Sequence, residues 1–281
     1  MDATTLVLGA TGTTGRRVRA ALERRGVPLR AASRHGPVRF DWGDRTTWDA
    51  ALGGATRLWL MAPDGVPVDP ALVELAARRG VRRVVLLSSS AVEEMGDARL
   101  LAAEAAVRGA GVPWTVLRAD WFDQDFSEGF LAPGVAAGEV ALPLGDLRQA
   151  WVDVADVAEV GAALLAGDAR DGAHEGEVLE VRGPQALTLA ECVHEVAVAA
   201  GRPVRAVTDP GAYVAGLEAV GVPREEAQGA LAAFAALVAR GDDPDGDDLV
   251  ARVTGRPARS FRDWARAAAA EGAWQAPGPP A

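Results

Sequence analysis

The chain contains no lysine. All 29 of its basic side chains, histidine apart, are arginines. The wealth of alanine, glycine and arginine fits a GC-rich genome, and any mechanism that needs a lysine amine is excluded. Cysteine is nearly absent as well. Cys192 stands alone, so no disulfide can form within the chain, and a reducing compartment is expected. Positive charge is scarce: the net charge is −10. That leaves no basic face for nucleic acid and disfavours an anionic membrane surface. No apolar run approaches the length of a membrane span, and no basic, apolar leader precedes the first strand. With 281 residues, 49% of them apolar, a cytoplasmic globular protein is expected, with a full core and room for a smaller appendage.

What is present begins at once. Thr4 to Leu8 reads as a β-strand, and Gly9-Ala10-Thr11-Gly12-Thr13-Thr14-Gly15 follows, then a helix over 16–25. Gly9 permits the tight turn, Gly12 lets backbone approach a pyrophosphate, and Gly15 lets helix and strand pack closely. Thr11, Thr13 and Thr14 complete a turn whose free N–H groups lie at a helix N-terminus. A strand before and a helix after are the context this motif requires.

The alternation continues. Strands are expected over 27–32, 38–42, 55–62, 84–87 and 114–118, with helices over 46–52, 69–79 and 100–108. Six strands alternating with helices call for an α/β fold with a doubly wound parallel (Rossmann) sheet. In such sheets ligands bind at the carboxyl ends of the strands. Gly9, Arg34, Met61-Ala62-Pro63, Ser88-Ser89 and Asp120-Trp121 fall at those ends. A site that prefers NAD places an acid after the second strand. No acid lies between Glu23 and Asp41; Ser33 and Arg34 stand there instead. A guanidinium pairs bidentately with a 2′-phosphate. One such contact of about 1.5–3 kcal/mol is a roughly 10- to 100-fold preference for NADP(H) over NAD(H). A solvated surface arginine is the alternative. Asp41 is placed to accept from an adenine amino group, with Trp42 beside the ring; an ordinary acidic strand end reads nearly as well.

Trp121 to Phe130 packs four aromatics and three acids into ten residues. It reads as a substrate wall, with Trp121, Phe122, Asp125 and Phe126 toward the ligand and carboxylates facing a cation. It reads equally as a helix with core aromatics and solvated acids. Residues 133–147 look like loop and hairpin, 150–154 like a short strand. A helix from Asp156 to Leu165 is capped by Asp153 and Asp156. A late strand covers 177–181. Thr188 to Glu191 forms a capping box that turns Cys192 inward. Residues 211–240 are mostly helical. The acidic run 241–248 lacks EF-hand spacing and reads as a solvated loop. A helix over 260–270 precedes a Pro/Gly-rich tail from Ala276, expected to fray. The three histidines and one cysteine make no metal-ligand spacing. The expected division is a core over 1–168 and a smaller, mainly helical α/β lobe over 169–281, with a substrate segment, 120–147, inserted in the core.

Several of these stretches together resemble the NmrA-like atypical short-chain dehydrogenases/reductases. They are Gly9 to Arg17, Ala32-Ser33-Arg34, Phe40-Asp41-Trp42, Leu87-Ser88-Ser89, Val112 to Arg118, Val152 to Ala158 and Val181 to Pro184. Val253-Thr254-Gly255-Arg256-Pro257, ahead of Ser260-Phe261 and Trp264, is similar to the branch that holds ergot-alkaloid iminium reductases. The resemblance extends to about residue 270. It implies an NADP-binding core and a small C-terminal lobe over the substrate. Typical short-chain dehydrogenases use a Tyr-x-x-x-Lys pair as proton donor and electrostatic helper. Counted back from Glu104, those positions hold Gly96 and Leu100, and the single tyrosine, Tyr213, is far off. Acid–base help is worth roughly 10²–10⁴-fold, and a carbonyl acceptor needs it. An iminium or triarylmethyl cation does not, because hydride addition neutralises it; quinones and activated alkenes lie between. The expectation is an NADPH-dependent oxidoreductase acting on an already electrophilic small molecule of secondary metabolism. Hydride passes over Ala62-Pro63 and Ser88-Ser89, Ser88 donates a hydrogen bond, and Asp120, Asp123 and Asp125 stabilise positive charge. Two alternatives stay open: an NADP-binding redox sensor without turnover, and a non-redox cyclase or isomerase on the same fold.

Overall fold

Residues 3–167, 174–246 and 249–275 are described by a computed structural model. The tail from Ala276 and the division drawn at 168/169 lie outside those residues. The first strand, β1 (Thr5–Leu8), is buried at every position, as a central parallel strand is. The following helix, α1 (Thr13–Arg24), buries Thr14, Gly15, Val18, Ala21 and Leu22, one face of a 3.6-residue period. Then come β2 (Leu29–Ser33), β3 (Val38–Arg39), α2 (Trp48–Leu52), β4 (Arg57–Leu60), α3 (Pro70–Arg78), β5 (Arg83–Ser89), α4 (Ala98–Gly109) and β6 (Trp114–Ala119). Asp69 and Asp97 cap α3 and α4 by accepting from backbone N–H groups, which offsets the unmet donors of a helix start.

The next stretch holds α5 (Ala132–Ala137), β7 (Glu139–Ala141), β8 (Arg148–Gln149) and α6 (Val154–Ala166), and β9 (Glu177–Val181) then pairs parallel with β6. The sheet therefore has seven parallel strands, one more than expected, in the order β3-β2-β1-β4-β5-β6-β9. One core layer packs its first face under α2, α3 and α4. The other packs the opposite face under α1 and α6. The doubly wound arrangement follows from two such apolar faces, each needing a helical cover.

The chain closes with β10 (Leu187–Thr188), α7 (Leu189–Ala200), β11 (Arg205–Val207), α8 (Pro210–Ala219), α9 (Arg224–Arg240), α10 (Leu249–Thr254) and α11 (Phe261–Ala270). The Thr188–Glu191 capping box is formed, and Cys192 is buried. A third apolar cluster joins Phe126, Leu131, Val135 and Trp151 to Leu189, Cys192, Phe234, Phe261 and Trp264. This is the lobe. Two late elements pack elsewhere: β9 extends the main sheet, and Leu249 and Val250 of α10 join the layer under α6.

Three local expectations are corrected. Residues 133–147 are not a hairpin: α5 and β7 form there, and β7 pairs parallel with the distant β11. Residues 150–154 are not a strand; a single bridge joins Phe122 to Val152. Of the two acids, only Asp153 caps α6. Asp156 sits inside the first turn, accepts from the Arg259 backbone N–H at 2.7 Å and pairs with Arg256.

The acidic run is not a solvated loop either. The two-residue strands β8 and β10 leave backbone donors unpaired nearby, and buried donors require acceptors. Asp242 accepts from Arg148 N, Asp243 from Ala150 N and Asp245 from Ala186 N. A Cβ on Gly246 would lie 1.8 Å from the Gly183 carbonyl oxygen, so only glycine lets the loop dock this closely. Asp247 and Asp248 lie outside the described residues.

Candidate active site

The sheet order places β1 between β2 and β4, so the chain leaves the carboxyl end of β1 toward β2 and that of β4 toward β5, in opposite directions. That reversal opens the crevice in which doubly wound folds bind ligands. Gly9 has φ +65°, a left-handed conformation that favours glycine. A Cβ on Gly15 would lie 2.1 Å from the Gly9 carbonyl oxygen. No side chain caps α1, so its first N–H groups face the crevice unclaimed by a cap. Ala10 N donates to Ala32 O at 3.0 Å, which brings the end of β2, with half-buried Ser33 and exposed Arg34, beside the turn. An anion already rests at the helix start. The Glu128 carboxylate accepts from Thr13 Oγ1 at 3.3 Å and pairs with Arg16 and, at 2.6 Å, with Arg17. The glycine approach, the uncapped helix and this stand-in carboxylate all fit a dinucleotide diphosphate.

A cleft of about 550 Å³ runs on from the turn. It brings together Thr13, Thr14, Met61, Ala62, Pro63, Ser88, Ser89, Asp120, Trp121, Phe122 and Asp125. Thr11 and Gly12 stand exposed in the turn itself. Asp41 and Trp42 lie outside the cleft. Asp41 Oδ1 accepts from Gly43 N at 2.9 Å, which holds a local turn, and Trp42 packs edge-on to Phe40.

Three candidate residues take other roles. Asp123 is fully buried with neither carboxyl oxygen hydrogen-bonded, so it cannot touch a ligand in the cleft. Phe126 is core, packed on Trp151 and Phe261 at 5.1 and 5.3 Å. Ser88 faces the cleft, but its Oγ donates to Glu104 Oε1 at 2.7 Å, so its proton points away from any substrate. Glu104 in turn accepts from Arg118 Nε at 2.9 Å and from Arg108 at 2.8 Å. Burial works against the Glu104 charge, but the Arg118 and Ser88 hydrogen bonds and the two guanidinium charges outweigh it and hold the carboxyl below its usual range.

Three other buried carboxyls shift the other way. Burial, with Asp64 and Glu128 nearby, pushes Asp125 up to about 7 despite one backbone contact. Burial and the Asp243 charge raise Asp120. Burial and the charges of Asp153, Asp156 and Asp125 raise Asp123. Each shift disfavours the anion because burial removes water and the donors and guanidinium charges in reach do not make up for it.

The cleft also holds groups that the sequence reading passed over. Asp64, Arg99, Glu128 and Met95 are among its walls. Asp64 follows directly on Met61-Ala62-Pro63, the stretch that the strand-end rule marked after β4. Glu128 sits inside the aromatic and acidic stretch without having been singled out. Leu100, at the usual lysine position, is a wall residue, whereas Tyr213 packs on Phe234 in the lobe. Among the described residues no three or more His, Cys, Asp or Glu side chains gather as a metal site, and no described helix is long and apolar enough to cross a membrane.

No family model matches the chain. Its relatives are clearer. The (4-alkanoyl-5-oxo-2,5-dihydrofuran-3-yl)methyl phosphate reductase of Streptomyces griseus subsp. griseus is 34% identical over 92% of this chain and 95% of its own. The NAD(P)H azoreductase of Xenophilus azovorans is 32% identical over 94% and 98%. This chain is an NmrA-like atypical short-chain dehydrogenase/reductase. The ergot-alkaloid branch is among the relatives of this atypical reductase: festuclavine synthase II of Penicillium roqueforti is 28% identical over 92% of this chain and 96% of its own. The fold is shared with an NADPH-dependent quinone oxidoreductase from Escherichia coli, at a TM-score of 0.70 and 22% identity, covering 94% of this chain and 98% of that one.

Proposed function

We propose that this atypical reductase moves hydride from NADPH to a small, flat, already electrophilic molecule. One observation carries the reading. A dinucleotide turn opens directly into a cleft that, among the described residues, has aromatic walls but neither tyrosine nor lysine. NADPH, when bound, supplies the hydride. The chain supplies position. The glycine turn and the start of α1 receive the diphosphate, and Ser33 and Arg34 receive the 2′-phosphate. Trp121, Phe122 and Phe130 offer flat apolar faces to the acceptor. Asp125, with its carboxyl near 7, is largely ionised above neutrality and then faces a cationic acceptor. The relatives named for azo compounds, for a furanone phosphate and for festuclavine support acceptors of this electrophilic kind. The single, buried cysteine fits a cytoplasmic setting.

The test is a titration with NADPH and NADH followed by tryptophan quenching, then NADPH oxidation with quinone, iminium, triarylmethyl and furanone acceptors. NADPH should bind at least ~10-fold tighter than NADH, and at least one acceptor should be reduced. Equal binding removes Arg34 from the site. Binding that depends on redox state without turnover of any acceptor makes the protein a sensor. Binding of neither nucleotide overturns the reading.

A further inference from the structure

Among the described residues that line the cleft, Arg99 is the single cation. The other charged side chains in its wall are Asp64, Asp120, Asp125 and Glu128. Those four acids bring less negative charge than their number suggests. Glu128 is neutralised by Arg16 and Arg17. Burial raises Asp120 and Asp125 toward the uncharged form. Asp64 is exposed, and water weakens the field of an exposed charge. The Arg99 side chain, by contrast, is only 20% exposed.

The local sequence holds this guanidinium in place. Arg99 lies in the first turn of α4. The cap residue Asp97 divides its two oxygens, with Oδ1 accepting from Leu100 N and Oδ2 from Arg99, each at 3.0 Å. A longer contact of 3.4 Å reaches the Val66 carbonyl in the loop after β4. The side chain is thus braced between two segments, which lowers the rotamer entropy lost when a ligand binds. A guanidinium carries five N–H donors. Asp97 and Val66 each take one, and the pair with Asp97 is single rather than bidentate. The planar fork keeps donors for a second anion. Met95 and Leu100, beside it in the wall, offer no strong acceptor.

We propose that Arg99 seats an anionic group carried by the acceptor (a carboxylate, sulfonate or phosphate monoester) and so selects electrophiles with an acidic arm. This rests on the reductase reading and narrows its substrate class. The flat part of the acceptor lies against Trp121, Phe122 and Phe130, and the arm reaches the start of α4. Arg99 fixes where the acceptor sits and takes no part in the hydride step. A cationic acceptor with such an arm satisfies Asp125 and Arg99 together.

The experiment sets Arg99→Gln and Arg99→Lys against the parent on a matched pair of acceptors, 1,4-naphthoquinone-2-sulfonate and 2-methyl-1,4-naphthoquinone. A sulfonate stays ionised at every working pH, so ligand protonation plays no part. The ratio of kcat/KM for the sulfonate to that for the methyl quinone should fall by ~10-fold or more in Arg99→Gln, mostly through KM. Arg99→Lys should recover part of the ratio, because an ammonium keeps the charge but not the fork. A merely structural role lowers both acceptors alike and leaves the ratio in place. Binding without turnover is read by calorimetry with naphthalene-2-sulfonate and 2-naphthol. The Kd of the sulfonate should weaken by ~10-fold or more relative to that of the naphthol in Arg99→Gln. NADPH quenching reports whether each variant folds and keeps its cofactor site. An unmoved ratio in either measurement overturns the proposal. So does a ~10-fold loss of NADPH affinity, which would assign Arg99 to a cofactor phosphate. If the parent reduces neither quinone, the reductase reading fails instead, and calorimetry alone decides the role of Arg99.

Discussion

Two buried acidic groups lie on opposite sides of the same strand ends. Behind β5 and β6, Glu104 is held by two arginines and a serine and stays an anion. In front, Asp120 and Asp125 face the cleft, and their carboxyls are raised. The chain is rich in arginine, so the difference is one of placement rather than supply. A buried carboxylate with its partners in place is a structural fixture. A buried carboxyl denied them sits poised between two protonation states, the condition for moving a proton or meeting a cation.

The comparison can be broken from its structural side first. Arg118→Met strips Glu104 of its main partner and leaves a charge 2% exposed. We expect a loss of about 3–5 kcal/mol in urea unfolding at pH 7, shrinking at low pH as Glu104 takes up a proton. The cleft side responds in the opposite direction. Asp125 has a folded value of about 7 against about 3.9 unfolded. Between those values the folded state holds a proton that the unfolded state has released. Stability therefore falls as pH rises from about 4 to about 7 and levels off above. Asp125→Asn removes that loss. It should be about 4 kcal/mol more stable than the parent at pH 8 and little different at pH 4, read from urea midpoints at both pH values. The smallest effect sharpens the boundary between the two sides. Ser88→Ala deletes one of several hydrogen bonds to Glu104 and should cost about 0.5–1.5 kcal/mol in thermal unfolding. A larger loss would mean that Glu104 depends on Ser88 more than on its arginines.

The core was legible because its signals are local. Each strand runs straight into a turn and a helix that carry their own periodicity, and the glycine turn announces itself. The lobe was less so. The partner of β7 is β11, beyond α6 and α7, and no pattern within 133–147 points to it. The acidic loop looked solvated because its partners are backbone N–H groups of Arg148, Ala150 and Ala186, donors that every sequence contains. At 120–130 the residue types were right but the directions were not. Asp123 to Phe126 is a 3₁₀ turn, on which residues three apart share a face. Asp123 and Phe126 therefore go inward together, while Asp125 reaches the cleft. Composition cannot separate two aspartates two positions apart.

The ion pairs at the start of α6 have a consequence for the order of assembly. Asp153 and Asp156 are held there by Arg259 and Arg256, residues near the far end of the chain. During synthesis α6 is complete well before those arginines emerge. Its two acids sit at a helix N-terminus, where the helix dipole favours negative charge in the interim. The start of α6 is fastened last, when the chain between α10 and α11 arrives with both arginines.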